Sequence, residues 1–370
     1  MEIGSEYSWP EEWIAENKKE ETGWKESLPY SDRQMVFSGR TALEYILKEI
    51  GNVKKAVLPS YCCESMIQPF LHAGIKVSFY PVEFVNGTLD ILLEIEKDVD
   101  VVFWCNYFGF FHEFPEEILK VFQSRGGIVI EDITHSFLSE KQVHTLSDYF
   151  FVSLRKWGPM VCGGVAYKRK GKFSNQPLSM PEDWFLEMKK DAMKRKASYL
   201  SREKNKSEKA VYLNEFGKTN DYFDQFYRGK GIDETSKMLL SVWCRPGTFV
   251  RRRENAETIY EILTETKGLY FLFPRQAADC PLFIPIIINH NQRDQLKKRL
   301  AERKIYCPNH WPKPSVKGAD SNLYDQELSL ICDQRYKKEE IETMAKAVKE
   351  EFEILNLTKS NRGGILKDWL

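Results

Sequence analysis

Between residues 38 and 170 the apolar and polar positions follow two alternating rhythms. TALEYILKEIG from Thr41, ESMIQPFLHAG from Glu64 and PEEILKVFQSRG from Pro115 place apolar residues three and four apart, the spacing of helices. Between and after them lie short runs of Val, Ile and Phe: KAVLPSY from Lys55, KVSFYPV from Lys76, DVVFWCNYFG from Asp100, GIVIED from Gly127, DYFFVSLRK from Asp148 and GGVAYKRK from Gly163. Strands that are apolar throughout and separated by helices must be covered on both faces. This predicts an α/β fold with a large, mostly parallel sheet sandwiched by helices. In such sheets ligands bind just beyond the carboxyl ends of the strands.

The rhythm changes on either side. Residues 1–37 carry Trp9, Trp13 and Trp24 among acids and lysines without a clear period, and read as an N-terminal arm packed on something larger. Within a large unit at 38–265, residues 171–235 form a helical insertion, seen in DWFLEMKKDAMKRKASYL and NDYFDQFYRG. Its charges, the basic run Lys189 to Lys196 included, read as a solvated helix face. A helix over about 236–266 is interrupted at Pro246-Gly247. A smaller α+β unit follows at 266–357, with a strand near 281–289, the helix RDQLKKRLAERK, the strand IYCPNHW and the closing helix KKEEIETMAKAVKEEFEIL. Residues 358–370 read as a disordered tail.

A chain of 370 residues buries a sizeable core and has the size of an enzyme subunit. Lys plus Arg and Asp plus Glu both total 54, so no global field favours nucleic acid or an anionic membrane, and a charged ligand must be handled locally. The longest apolar run, near Pro281, is broken by prolines and falls short of the roughly 18 residues that span a bilayer, so a soluble protein is expected. Eight cysteines without a CxxC pair, and no signal peptide, predict reduced thiols in a cytoplasm; six scattered histidines offer no metal site.

Four polar spots fall at predicted strand ends. Ser38-Gly39-Arg40-Thr41 is a small-residue turn opening a helix, either an ordinary Ser cap or a phosphate cradle of free N–H groups. Asp132 follows a fully apolar strand, where it either caps the next segment or grips a cationic ring nitrogen. Tyr61 is either core filler or a ring lying flat on a ligand. Lys156, at the end of a buried run, is either salt-bridged or a desolvated amine that attacks carbonyls, with the Ser153 hydroxyl nearby and Gly163-Gly164 permitting close approach. His135 adds a hydrogen-bonding group, and Glu131 points to the other side as a structural residue. Taken together, the four suggest one ligand, pyridoxal phosphate, which needs a phosphate cradle, an acid for its ring nitrogen, a stacking ring and a lysine.

SGRTAL, LPSYCCESMIQPFLHAGIKVSFYPV, VIEDITHSF and SDYFFVSLRKWGPMVCGGVAY, in that order and spacing, resemble fold-type-I pyridoxal-phosphate aminotransferases of the DegT type, best known for transamination of nucleotide-linked keto sugars. The resemblance covers residues 36–170, and more loosely the C-terminal part through CDQRY. It implies a seven-stranded sheet and a homodimer with the active site at its interface. It further implies Lys156 as the Schiff-base lysine and proton shuttle, Asp132 on the pyridine nitrogen and His135 reaching the ring hydroxyl. Ser153 with Gly39, Arg40 and Thr41 would hold the phosphate, and the Tyr61 ring would lie over the pyridine.

The Asn-x-Arg signature of many sugar aminotransferases is absent, the matching region reading Gly231-Ile-Asp-Glu-Thr-Ser236. Arg155 and Arg335 are alternative receptors for a substrate carboxylate, each weighed against a structural salt bridge. The expected activity is transfer of an amino group from a donor such as glutamate to a carbonyl acceptor, a sugar, a cyclitol or a small keto acid. Decarboxylase, aldolase and dehydratase chemistry on the same scaffold, or a non-catalytic binding role, are the rivals.

Overall fold

The computed structural model describes residues 2–16, 28–110, 112–201, 206–243, 246–275 and 279–364. At its centre is a seven-stranded sheet, ordered Asp32–Val36, Gly164–Lys168, Tyr149–Ser153, Ile128–Asp132, Val101–Cys105, Lys55–Pro59 and Lys76–Tyr80. All neighbours from Tyr149–Ser153 to Lys76–Tyr80 pair in parallel. Gly164–Lys168 runs antiparallel to both of its neighbours. The strands are buried as their composition demands, Val101–Cys105 at every position.

Register brings the strand ends together. Cys105 lies opposite Asp132, Asp132 opposite Phe151, and Gly164 opposite both Ser153 and Val36. The Gly39–Ile50 helix starts at this edge, with Ser38 Oγ accepting from the Thr41 N–H at 3.2 Å. Two glycines make room for the turn. A Cβ at Gly164 would lie 2.4 Å from the Ser38 carbonyl carbon, and one at Gly39 would lie 2.9 Å from Ser153 Cβ. Neither the Ser38 backbone nor a Cβ fixed to the Ser153 backbone can yield, so larger residues at either position would force the turn off the strand ends.

The predicted insertion forms the helices Asp183–Ser201 and Lys206–Gln225. Its basic run departs from expectation. Lys189 and Lys196 are buried, on the inner face with Phe185, Ala192 and Met193, because seven residues are about two helical turns and return to the same side.

The arm is structured over residues 2–16. Its strand Ile3–Gly4 pairs in parallel with Ile305–Tyr306, and Trp9, Trp13 and Ile14 pack on the cluster around Trp157 and Phe185. Trp24 lies outside the described residues. The predicted strand IYCPNHW is a strand only at Ile305–Tyr306, where the arm supplies a partner; the rest turns towards the sheet edge and carries His310.

The interrupted helix appears as Glu234–Trp243 and Pro246–Leu263, with 244–245, and so Cys244, outside the described residues. The C-terminal part contains a three-stranded antiparallel sheet of Tyr270–Phe271, Ile284–Ile287 and Glu327–Leu330. The last helix spans Lys338–Gly364, past residue 357 where the sequence pattern ended it. Among the described residues no helix is long and apolar enough to cross a membrane.

Candidate active site

The strand Tyr149–Ser153 ends in a single 3-10 turn, Leu154–Lys156. Leu154 is buried, whereas Lys156 extends into a cleft at the strand ends. Lys156 has neither an ion pair nor a hydrogen bond among the described residues, which removes the salt-bridge explanation for it. Desolvation, and then the neighbouring Arg155 charge, pull its pKa down, against Cys63, Glu6 and Asp132, which raise it. A lowered amine pKa means more neutral amine, the nucleophilic form.

Asp132 ends the neighbouring parallel strand, buried. Burial pushes its carboxyl up to about 6, while hydrogen bonds from Thr134 and the charge of Lys156 pull the other way. The Thr134 N–H donates to Asp132 Oδ1 at 2.8 Å, and the Thr134 hydroxyl accepts from the Ser153 N–H at 3.0 Å. Trp157 Nε1–H donates to the Thr134 carbonyl at 2.6 Å. One threonine thus clasps the ends of both strands and fixes Asp132, Ser153 and Lys156 relative to one another. Glu131 faces away, as expected, and is tied to Asn106, His144 and Ser147.

His135 is buried beside the acid and stacks on Trp311 at 5.4 Å. The Phe108 N–H can only donate, so His135 Nδ1, at 2.9 Å, accepts, and the ring proton sits on Nε2. That nitrogen lies 2.9 Å from His310 Nε2, so His310 accepts there and carries its own proton on Nδ1. Both rings are neutral. Burial and the Lys156 charge push His135 down to about 3, and burial with His135 holds His310 well below the usual range.

A histidine whose folded pKa is depressed contributes stability above its unfolded value of about 6.5 and loses it as pH falls towards the folded pKa. His135→Asn, which keeps an acceptor for the Phe108 N–H, is therefore expected to gain about 2 kcal/mol on the wild type between pH 7 and pH 5. Denaturant unfolding of both proteins at the two pH values measures this; an unchanged difference contradicts the neutral assignment.

The Gly39-Arg40-Thr41 turn meets the same edge. The first-turn N–H groups of Gly39 and Arg40 have no intrahelical acceptor and point out of the helix start. The side chains are committed elsewhere. Thr41 Oγ1 donates to the Tyr227 carbonyl at 2.8 Å, and Arg40 pairs with Asp224 at 2.9 Å while lying over the Tyr227 ring. What the turn offers a ligand is main chain. The Ser153 hydroxyl beside it has no hydrogen-bond partner among the described residues.

Two expected residues are placed otherwise. Tyr61, expected to lie over a ligand ring, is fully buried among Tyr107, Trp311 and Tyr324, with no face open to a ligand. The residue that reaches the cleft from this segment is Cys63, near enough to Lys156 and Asp132 that both act on its pKa, which burial raises. Arg335, weighed as an anion receptor, is held by Asp333 at 2.7 and 2.9 Å and donates to the Ser5 and Glu6 carbonyls. It anchors the arm. Arg155 is different: its guanidinium lies 3.9 Å over the Phe223 ring, and its buried Nε has no hydrogen-bond partner.

Sequence reasoning missed His310, Cys63 and Glu6. For Cys63 the signal was its position two residues beyond Tyr61; for the other two, which arrive from distant segments, no local signal existed.

The seven-stranded sheet with its one antiparallel strand is a fold shared with solved aminotransferases. No protein-family model and no curated protein matches the chain. Solved structures do. Helicobacter pylori PseC, an aminotransferase involved in the biosynthesis of pseudoaminic acid, is 17% identical with a TM-score of 0.63, over 95% of this chain and 100% of that one. The aminotransferase TlmJ from Streptoalloteichus hindustanus is 17% identical with a TM-score of 0.58, over 87% and 86%. A candidate sugar aminotransferase from Streptococcus pneumoniae, in its PLP form, is 12% identical with a TM-score of 0.63, over 95% and 99%. At such identities the likeness establishes the fold and leaves the chemistry to the residues.

Proposed function

We propose that the chain is a pyridoxal-phosphate-dependent aminotransferase that moves an amino group from an amino-acid donor, glutamate in the first instance, to a carbonyl acceptor such as a keto sugar. The observation that carries this reading is Lys156: unpaired, with a lowered pKa, in one cleft with a buried acid whose pKa is raised. Fold and neighbours agree with it.

The residues present fit the cofactor. Burial favours the neutral form of Asp132, so a cation opposite it, such as a protonated ring nitrogen, is what keeps it ionised. The free N–H groups of Gly39 and Arg40 and the Ser153 hydroxyl supply a phosphate cradle. The neutral His135–His310 pair is suited to a ring hydroxyl, and Cys63 takes the side from which Tyr61 is withdrawn. When bound, the cofactor supplies an electron sink for cleavage next to the amino group. Lys156 Nζ would hold the cofactor, and once free as an amine it would be placed to move the proton at the substrate carbon. The working unit is a homodimer with its site at the interface, in the cytoplasm.

Where sugar aminotransferases carry Asn-x-Arg, Asp233 here caps the Ser236 N–H at 3.1 Å and accepts from the Cys162 thiol at 3.0 Å. A position spent on internal bonds offers nothing to a nucleotide, and this favours a small acceptor.

The purified protein should show the visible absorption of a lysine-bound cofactor. Borohydride should fix that cofactor on Lys156, and glutamate should bleach the band. A protein that takes up no pyridoxal phosphate, or a label on another lysine, overturns the reading. A band indifferent to every amino donor removes the aminotransfer.

A further inference from the structure

Beside Lys156 the arm introduces a carboxylate among cations. Glu6 lies 3.8 Å from Lys189 Nζ and accepts from Asn220 Nδ2 at 3.3 Å. Lys189, then, against the cost of burial, Arg155 and Lys196 hold its carboxyl down at about 2. Three cations from two segments, Lys189 and Lys196 on one helix and Arg155 at a strand end, thus converge on one acid, and neither Lys189 Nζ nor Arg155 Nε has a hydrogen-bond acceptor among the described residues. A buried ammonium without an acceptor is costly, and Lys189 is only 3% exposed.

The way Glu6 is held separates its backbone from its side chain. The backbone is pinned: Arg335 donates to the Ser5 and Glu6 carbonyls at 3.0 and 3.1 Å, and Lys196 Nζ donates to the same Glu6 carbonyl and to Ser5 Oγ. The carboxylate, at 3.8 and 3.3 Å, stays well outside the 2.7–2.9 Å of a charge-assisted hydrogen bond. It can swing away without moving the arm. Arg155, flat on Phe223, keeps the edge of its fork for an acceptor with two coplanar oxygens.

We propose that Arg155, Lys189 and Asn220 form a carboxylate receptor next to Lys156, which the Glu6 side chain fills in the free protein and yields to the acidic group of the substrate. This deepens the aminotransferase reading and rests on it for the identity of the ligand as an amino or keto acid. Glu6 acts as an internal competitor: it keeps two buried cations compensated between turnovers and selects for ligands that bring a carboxylate of their own.

Glutarate, a dicarboxylate without an amino group, is the probe, titrated calorimetrically into the full-length, cofactor-loaded protein. Glu6→Gln should bind it about tenfold more tightly than the wild type. Arg155→Gln and Lys189→Met should each weaken binding by a similar factor, Lys189→Arg should retain it, and Glu6→Gln/Lys189→Met should show no gain. An unchanged affinity in Glu6→Gln, equal tightening towards the neutral diamide, a preference for inorganic phosphate, or no binding by any variant overturns the receptor. Glu6-dependent glutarate binding in a protein whose Lys156 cannot be trapped by borohydride would leave the receptor standing and remove the aminotransferase. Trapping without such binding would do the reverse.

Discussion

Lys156→Ala should abolish amino transfer, by at least about 10⁴-fold, while leaving the fold untouched. The two halves of this expectation have separate grounds. Among the described residues nothing depends on the ammonium: it has no ion pair and no hydrogen bond there, and it is exposed. Truncation should therefore leave stability unchanged or raise it, because the desolvation that pulls the ammonium's pKa down is relieved. In the proposed reaction the chemistry would depend on it twice, as the amine that would hold the cofactor and as the base at the substrate carbon. Rate assays, the visible band and a thermal melt on one preparation decide the matter. A variant that retains a tenth of wild-type activity sinks the assignment, and one that fails to melt cooperatively refutes the claim that the lysine is structurally idle.

Asp132→Asn comes next, with an expected loss on the order of 10³-fold. Asparagine keeps an oxygen for the Thr134 N–H, so the clasp between the two strand ends survives. What disappears is the negative charge that the proposed ring nitrogen would face. The same substitution has a second signature in the cofactor-free protein. An acid whose folded pKa is raised is more protonated in the native than in the unfolded state, so its contribution is fully present below about 3.9 and is lost as pH rises through the folded value. With Asp132 at about 6, the ionised wild type forfeits about 3 kcal/mol by pH 8, and the variant does not. The variant should thus melt higher than the wild type at pH 8, with the gap closing near pH 4, and the order should reverse once cofactor is added. If the variant melts lower at pH 8 without cofactor, Asp132 is a structural anchor.

The parts legible in the sequence share a cause. Val101–Cys105 and Ile128–Asp132 are apolar on both faces, which only a covered central strand explains, and a polar residue at the end of such a run stands out. Asp132 and Lys156 were visible for that reason. Tyr61 misled because its size suggested a stacking ring, whereas the turn after Pro59 sends it inward and delivers the small Cys63 to the cleft. Lys189 and Lys196 were readable in principle, since their spacing from Phe185, Ala192 and Met193 puts them on the apolar face, but basic residues in a charged run suggest solvent. His310 and Glu6 were not readable, because each meets the site through contacts between segments far apart in the chain.

The pairing of Ile3 with Ile305 has a consequence for how the molecule is assembled. The Gly4 N–H donates to the Tyr336 hydroxyl at 2.8 Å, and Arg335 holds the carbonyls that follow. These two anchors lie far along the chain, 332 residues apart for Gly4 and Tyr336, while Lys196 holds the Glu6 carbonyl from nearer by, and closing so long a loop is slow. The sheet with Lys156 and Asp132 can form early from local βα units, whereas the arm that carries Glu6 is fully seated only once the distant Ile305–Tyr306 and Arg335 segments are in place. Until then the Glu6 carboxylate faces Lys189 from a backbone that Lys196 alone has begun to pin.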